Sequence, residues 1–205
     1  MIAIIDYGVG NLRSVYNAVN FISPKVRSII TNDPDQIVKA DKIIFPGQGA
    51  MPGCFQELEK KGLTEAILQC AKQKPFFGIC LGLQMLFDLS EEGNQKGLGL
   101  LSGTVKKFKN DYKNKIKIPH MGWNSVVQSS SHPMWRNVKN ESKFYFVHSY
   151  FAEVSNESLV VGQTEHGLNF ASAVAKDNIF ASQFHPEKSS AIGLQLLENF
   201  ISWKV

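Results

Sequence analysis

The chain has 205 residues, enough for one domain with an ample core. Apolar residues make up 43% and charged residues 20%, and a net charge of +4 is too mild to mark a nucleic-acid or membrane surface by itself. Cys54, Cys70 and Cys80 form no Cys-x-x-Cys pair, which argues against a disulfide scaffold and a structural zinc site and for a reducing, cytoplasmic setting. The apolar N-terminal stretch meets Asp6 too soon for a signal peptide, and no run is long enough to span a membrane.

In chain order, Ile2–Ile5 reads as a strand, followed by Gly8-Val9-Gly10 and a helix over Leu12–Ile22. The third position of a dinucleotide fingerprint is Arg13 rather than Gly, so nicotinamide binding is not indicated. A strand at Val26–Thr31, a helix near Asp35–Ala40 and a strand at Lys42–Phe45 come next. Pro46-Gly47-Gln48-Gly49-Ala50-Met51-Pro52 then leads into one long helix, roughly 53–73. Its glycines free backbone N–H groups for phosphate or a developing oxyanion, but no Gly-Lys-Ser/Thr follows, so it is not a P-loop. A tight strand-to-helix turn is an equal reading.

Phe76-Phe77-Gly78-Ile79-Cys80 is a short apolar run ending in a Cys between two glycines. Leu81, Met85, Leu86 and Leu89 follow at helical spacing, so a strand, a sharp turn and a helix are expected with sulfur at the apex. A helix N-terminus there favours thiolate; a buried structural Cys is the plain alternative. The βαβαβαβ order predicts an α/β fold: a mixed, mostly parallel central sheet flanked by helices, with its site at the strands' C-terminal ends.

After Gly93–Gly103 the pattern changes to short strands: Val105–Phe108, Ile116–Ile118, Trp123–Val127, Lys143–Phe151, Leu159–Thr164, Phe170–Ala175 and Ile179–Gln183. These are the additional, antiparallel strands. Lys106, Lys107, Lys109, Lys113, Lys115 and Lys117, interleaved with Phe108 and Tyr112, read better as a lysine-blunted strand edge or loop than as a nucleic-acid footprint. A helix over about Ala191–Trp203 closes the chain, and no linker or repeat divides residues 1–205 into two domains.

A Cys nucleophile needs an imidazole and a group to orient it. In Phe184-His185-Pro186-Glu187-Lys188, Pro186 holds His185 extended, and residues two apart share a face. Glu187 can therefore orient the His185 ring, although a surface His beside a surface Glu is the bland reading. The Pro-Cys-x-x-Cys that accompanies His-x-Glu in zinc deaminases is absent.

Gly78-Ile79-Cys80-Leu81-Gly82-Leu83-Gln84 together with Phe184-His185-Pro186-Glu187 resembles the class I, triad-type glutamine amidotransferase family. Asp6-Tyr7-Gly8-Val9-Gly10-Asn11-Leu12, Pro46-Gly47-Gln48-Gly49-Ala50-Met51, His120-Met121-Gly122-Trp123-Asn124, Tyr145-Phe146-Val147-His148-Ser149-Tyr150 and His185-Pro186-Glu187-Lys188-Ser189 are similar, more narrowly, to the glutaminase subunits of imidazole glycerol phosphate synthases. Gln48 departs from that pattern, where a small apolar residue such as Val is common.

The resemblance implies a glutaminase with Cys80 as nucleophile, His185 as proton carrier and Glu187 as its orienter. It implies oxyanion donors at Leu81 and within Gly47, Gln48 and Gly49, glutamine contacts at Gln84, and a pocket wall at His148, Ser149 and Tyr150. Asn11, Trp123 and Lys188 match positions at a partner interface and ammonia exit, where spacing alone reads a turn Asn, a core Trp and a surface Lys. The implied partner is a separate cyclase subunit, a (β/α)8 barrel, that uses the ammonia to make imidazole glycerol phosphate and an aminoimidazole carboxamide ribotide. No cofactor, metal, nucleic acid or membrane is implied. Rival expectations are a paralogue feeding a synthase for amidated cell-surface sugars, a Cys peptidase or other hydrolase, and a non-enzymatic binding module.

Overall fold

A computed structural model describes residues 1–8, 10–109 and 116–205. The N-terminal half alternates as expected: β1 (Ile2–Ile5), α1 (Leu12–Ile22), β2 (Ser28–Thr31), α2 (Pro34–Lys39), β3 (Lys42–Gly47), α3 (Met51–Lys60), α4 (Thr64–Gln73) and β4 (Phe76–Cys80). β1, β3 and β4 are buried through most of their length, as a sheet covered on both faces requires, while β2 at the sheet's edge is half buried. The remainder comprises α5 (Leu81–Gln84), β5 (Phe87–Ser90), β6 (Gln95–Lys96), β7 (Leu101–Lys107), β8 (His120–Ser125), β9 (Val127–Gln128), β10 (Lys143–His148), β11 (Tyr150–Val154), β12 (Val160–Glu165), β13 (Asn169–Lys176), β14 (Ile179–Ser182) and α6 (Ser190–Ser202).

The main sheet runs β2-β1-β3-β4-β14-β13-β11-β7-β5-β6, with β12 and β9 branching from β13. Its first five strands are parallel, and β14 closes that block by pairing with β4. Mostly antiparallel pairs then extend it, β5 lying parallel to β7, and β8 and β10 make a separate two-stranded ribbon. The mixed, mostly parallel centre is therefore as the alternation implied. Two apolar clusters cover the two faces, one from α2, α3 and α4 and the other from α1 and α6.

Three local expectations differ. The long helix over 53–73 is two helices, because Gly62 adopts φ +64° and the Leu63 N–H reaches back to the Leu58 carbonyl, a left-handed helix end. The helix after Cys80 is a single turn. Leu98 N–H takes the Met85 carbonyl, and Leu100 and Leu101 take that of Leu86, so these carbonyls serve a distant segment instead of the next helical turn. The strand over Lys143–Phe151 breaks at Ser149, sending β10 to the ribbon and β11 to the main sheet.

Where the lysine stretch falls in β7, at Lys106 and Lys107, it is not an edge. β7 lies between β5 and β11, Lys106 pairs with Glu153 on the neighbouring strand at 2.6 Å, and Phe108 is buried. Ile116 is an isolated bridge residue rather than the start of a strand. Tyr112, Lys113, Lys115 and Val9 lie outside the described residues. No helix among the described residues is long and apolar enough to cross a membrane.

Candidate active site

The C-terminal ends of β3 and β4 lie side by side, with Gly47 in register with Cys80. Cys80 ends β4 with φ 55° and ψ −108°, a strained conformation for a side-chain-bearing residue that costs on the order of 1–3 kcal/mol. Close packing enforces it. A Cβ on Gly82 would collide with the Phe45 carbonyl oxygen, and one on Gly78 would come within 2.9 Å of the Gly82 carbonyl oxygen. Only glycines on both sides of the sulfur let the chain reverse here.

The one-turn α5 changes the electrostatic picture drawn from sequence. Four residues align too few peptide dipoles to act as a full helix terminus. Charge near the sulfur is set by side chains instead. His185 Nδ1 lies 2.8 Å from Glu187 Oε1, with both side chains only 2% exposed. Pro186 opens a 3₁₀ turn over Pro186–Lys188, and the N–H of His185 donates to the Tyr145 carbonyl, fixing the backbone on both sides of the ring. Burial pushes the His185 pKa down, but the neighbouring Cys80 sulfur and Glu187 carboxylate outweigh it and carry it up to about 10. Among the described residues the buried His185 Nε2 has no hydrogen-bond partner. One ring nitrogen is thus anchored on a carboxylate and the other is left for the sulfur.

A cavity of about 410 Å³ opens over this group, within the range of small-molecule sites. Cys80, Leu81, Gln84 and His185 line it, together with Gln48 and Gly49 from the loop after β3 and with His148, Ser149 and Tyr150 from the break between β10 and β11. Gly47 stands just behind, with Tyr7 Oη donating to the Pro46 carbonyl and Cys54 Sγ to the Gln48 carbonyl. His148 donates from Nδ1 to the Tyr150 carbonyl and accepts at Nε2 from His120 Nδ1; burial lowers the His148 pKa to about 3 and that of His120 to about 4. Both rings are neutral and structural.

Glu92, which lines the cavity, and Gln183, buried behind it, escaped sequence reasoning. Glu92 sits on the rim, its Oε2 accepting from the Met51 N–H at 2.8 Å, and gives the cavity lining a carboxylate. Gln183, fully buried, reaches the sulfur itself: Nε2 lies 3.6 Å from Cys80 Sγ. Its position immediately before Phe184-His185 was the available signal.

Two of the residues assigned to an interface, Trp123 and Lys188, lie near the same Tyr145 ring. Trp123 is 50% exposed and Met121 62%, two residues apart on β8, so the core reading of Trp123 fails. Trp123 meets Tyr145 edge-on at 6.3 Å, and Lys188 Nζ lies 6.0 Å from the same ring while also lining the cavity. Asn11 caps α1, accepting from the Ser14 N–H, and is exposed. No cluster of three or more metal-ligating side chains occurs among the described residues.

The sequence profile described as "Glutamine amidotransferase class-I" matches residues 3–203. The chain is 53% identical over 208 residues to the "Imidazole glycerol phosphate synthase subunit HisH" of Nitrosospira multiformis, covering 99% of this chain and 98% of that protein. It is 52% identical to the protein of that name from Nitrosomonas europaea, covering 98% of each. Among solved structures, one described as a glutamine amidotransferase superposes with a TM-score of 0.75 over 98% of both chains at 14% identity. The glutaminase domain of Trypanosoma brucei CTPS with bound acivicin gives 0.64 at 17% identity, over 100% of this chain and 94% of that one. At such identities these two speak for the fold alone. With a strained cysteine elbow, a buried His–Glu pair and whole-length relatives at half identity, the chain belongs to the class-I glutamine amidotransferase family.

Proposed function

We propose that this chain is the glutaminase subunit of an imidazole glycerol phosphate synthase, hydrolysing glutamine and handing the ammonia to a separate cyclase subunit in histidine biosynthesis. The observation that carries this is the buried His185–Glu187 pair set against Cys80 at the floor of the cavity. Whole-length similarity to proteins named as HisH subunits supports the acceptor pathway over an amidated-sugar synthase.

In this reading the Cys80 sulfur, as thiolate, attacks the side-chain amide carbon of glutamine. The resulting oxyanion is met by the N–H of Leu81 and one from the Gly47–Gly49 loop; one such donor is generally worth about 3–4 kcal/mol. His185 gives its proton to the departing nitrogen, ammonia leaves, and a γ-glutamyl thioester remains on Cys80. Water, deprotonated by His185, then attacks the thioester and releases glutamate, returning the proton to the pair. Glu187 holds the imidazolium in place throughout. Gln84 and Glu92 supply the polar groups that recognise the amino-acid end of the substrate, and the wall at His148, Ser149 and Tyr150 closes its other side.

Ammonia has a short way out along Lys188 toward the ledge formed by Met121, Trp123 and Tyr145. Two exposed, adjacent hydrophobic side chains at a pocket mouth suit a docked protein. The partner in this reading is a (β/α)8 cyclase covering Asn11, Trp123 and Lys188, and the pair works in the cytoplasm as a single-domain glutaminase bound to its acceptor. Co-expression with the cyclase encoded by the same organism tests it: a 1:1 complex converting glutamine and the ribotide to imidazole glycerol phosphate supports the proposal. Failure to co-purify, with glutamine left unhydrolysed, removes it.

A further inference from the structure

The amide of Gln183 is tied into a chain of hydrogen bonds whose direction is set from one end. The Tyr150 carbonyl can only accept, so Gln84 Nε2, 3.0 Å away, must donate to it. The same Nε2 lies 2.9 Å from the Gln183 side chain, which must therefore present its oxygen there. That fixes the other end of the Gln183 amide as the NH2 group, 3.6 Å from Cys80 Sγ. Gln183 has no exposed surface, and its own N–H is held by the Ser172 carbonyl, so the side chain has a fixed origin.

We infer that Gln183 is a further catalytic residue: its side-chain N–H donates to the Cys80 sulfur and stabilises negative charge there alongside His185. The inference rests on the reading of Cys80 as nucleophile and deepens it. His185 faces the sulfur with a proton it must give away to the leaving nitrogen. Gln183 faces it with one that it keeps. The sulfur is neutral in the thioester and gains negative charge as water displaces it, so a permanent donor stabilises that transition state. The chain has a second consequence. Both hydrogens of Gln84 Nε2 are engaged, leaving Gln84 Oε1 as the group free to accept from a bound ligand.

The test is Gln183→Met, which keeps length and removes the donor, assayed in complex with the cyclase. A hydrogen bond to a charged group is generally worth enough that its loss should lower kcat about tenfold to a hundredfold. The loss should fall in kcat rather than KM, since the donor touches the sulfur and not the substrate. The pH midpoint for alkylation of Cys80 by iodoacetamide, which needs no glutamine chemistry, should move upward in the variant. An unchanged midpoint overturns the assignment even if turnover falls, because turnover alone can fall through Gln84. If wild type hydrolyses no glutamine, the glutaminase reading fails and the alkylation comparison still decides on Gln183. If the variant does not fold, the side-chain amide resonances of Gln183 are compared between wild type and Cys80→Ala. A clear shift supports the bond, and coincident resonances overturn it.

Discussion

Gly82 and Phe45 are packed so that the Gly82 Cα rests on the Phe45 carbonyl, where a single added methyl group would collide with the oxygen. This contact between the elbow and β3 holds Cys80 in its strained turn. Gly82→Ala should therefore destabilise the fold by about 1–3 kcal/mol and displace the sulfur. The expected outcome is a lower urea midpoint and glutaminase activity lost beyond what stability explains; wild-type turnover would contradict the role given to the contact.

Glu187 is asked to hold a protonated imidazole, with Oε1 2.8 Å from His185 Nδ1. Glu187→Gln keeps an acceptor oxygen and removes the charge. A loss of about tenfold to a hundredfold in kcat is expected for a charge-assisted bond made neutral. The pKa of His185 should also fall from its raised value, which a carbon-labelled histidine titration would follow. An unshifted titration would mean that Glu187 only fills space.

Acid stability offers a third check. Burial depresses His148 to about 3, and His120 and His132 each to about 4, against an ordinary value of 6.5. Below about pH 6.5 the unfolded chain takes up protons that these three rings refuse, so stability falls as pH drops from 6.5 toward 4. His185 is displaced upward and acts in the opposite window: its contribution is full below 6.5 and is lost as pH rises through about 10. Urea midpoints should decline between pH 7 and pH 4.5. The slope should be shallower in His132→Asn, which is remote from the cavity. A midpoint that rises on acidification would contradict the burial argument.

Much of this was legible before the structure. The His185–Glu187 pair could be read because its spacing is local, although the contact is made across the 3₁₀ turn Pro186–Lys188 and not along the extended segment that the sequence suggested. The elbow could be read because two glycines flank one Cys. Gln183 and Glu92 could not. A glutamine at the end of β14 looks like any strand residue, and only the pairing of β14 with β4 brings it to the sulfur. Glu92 lies in a charged turn, and its place on the pocket rim depends on the packing of that turn against α3. The helix expected after Cys80 failed for the same reason. Leu81, Met85, Leu86 and Leu89 do keep helical spacing, yet residues 98–101 compete for the carbonyls and win. Local chemistry was readable, and contacts made at long sequence distance were not.

Partner dependence gives a fourth expectation. Gly49 sits at φ +98°, and a Cβ there would meet nothing within 4 Å, so the loop proposed to carry the second oxyanion donor meets little steric resistance to turning at that residue. Glutamine turnover by the isolated chain should be slow and should rise on adding cyclase and its ribotide. Trp123→Ala should weaken that complex by about 2 kcal/mol or more, as expected for a tryptophan at an interface centre. Equal turnover with and without cyclase would remove the gating role of the loop.

The elbow with which β4 ends carries the whole proposal, and Cys80→Ala in the cyclase complex tests it most directly. Glutamine-dependent formation of imidazole glycerol phosphate should vanish, while the same reaction driven by added ammonium salt proceeds at the wild-type rate. Glutamine-dependent product from the variant would contradict the assignment of Cys80 as nucleophile.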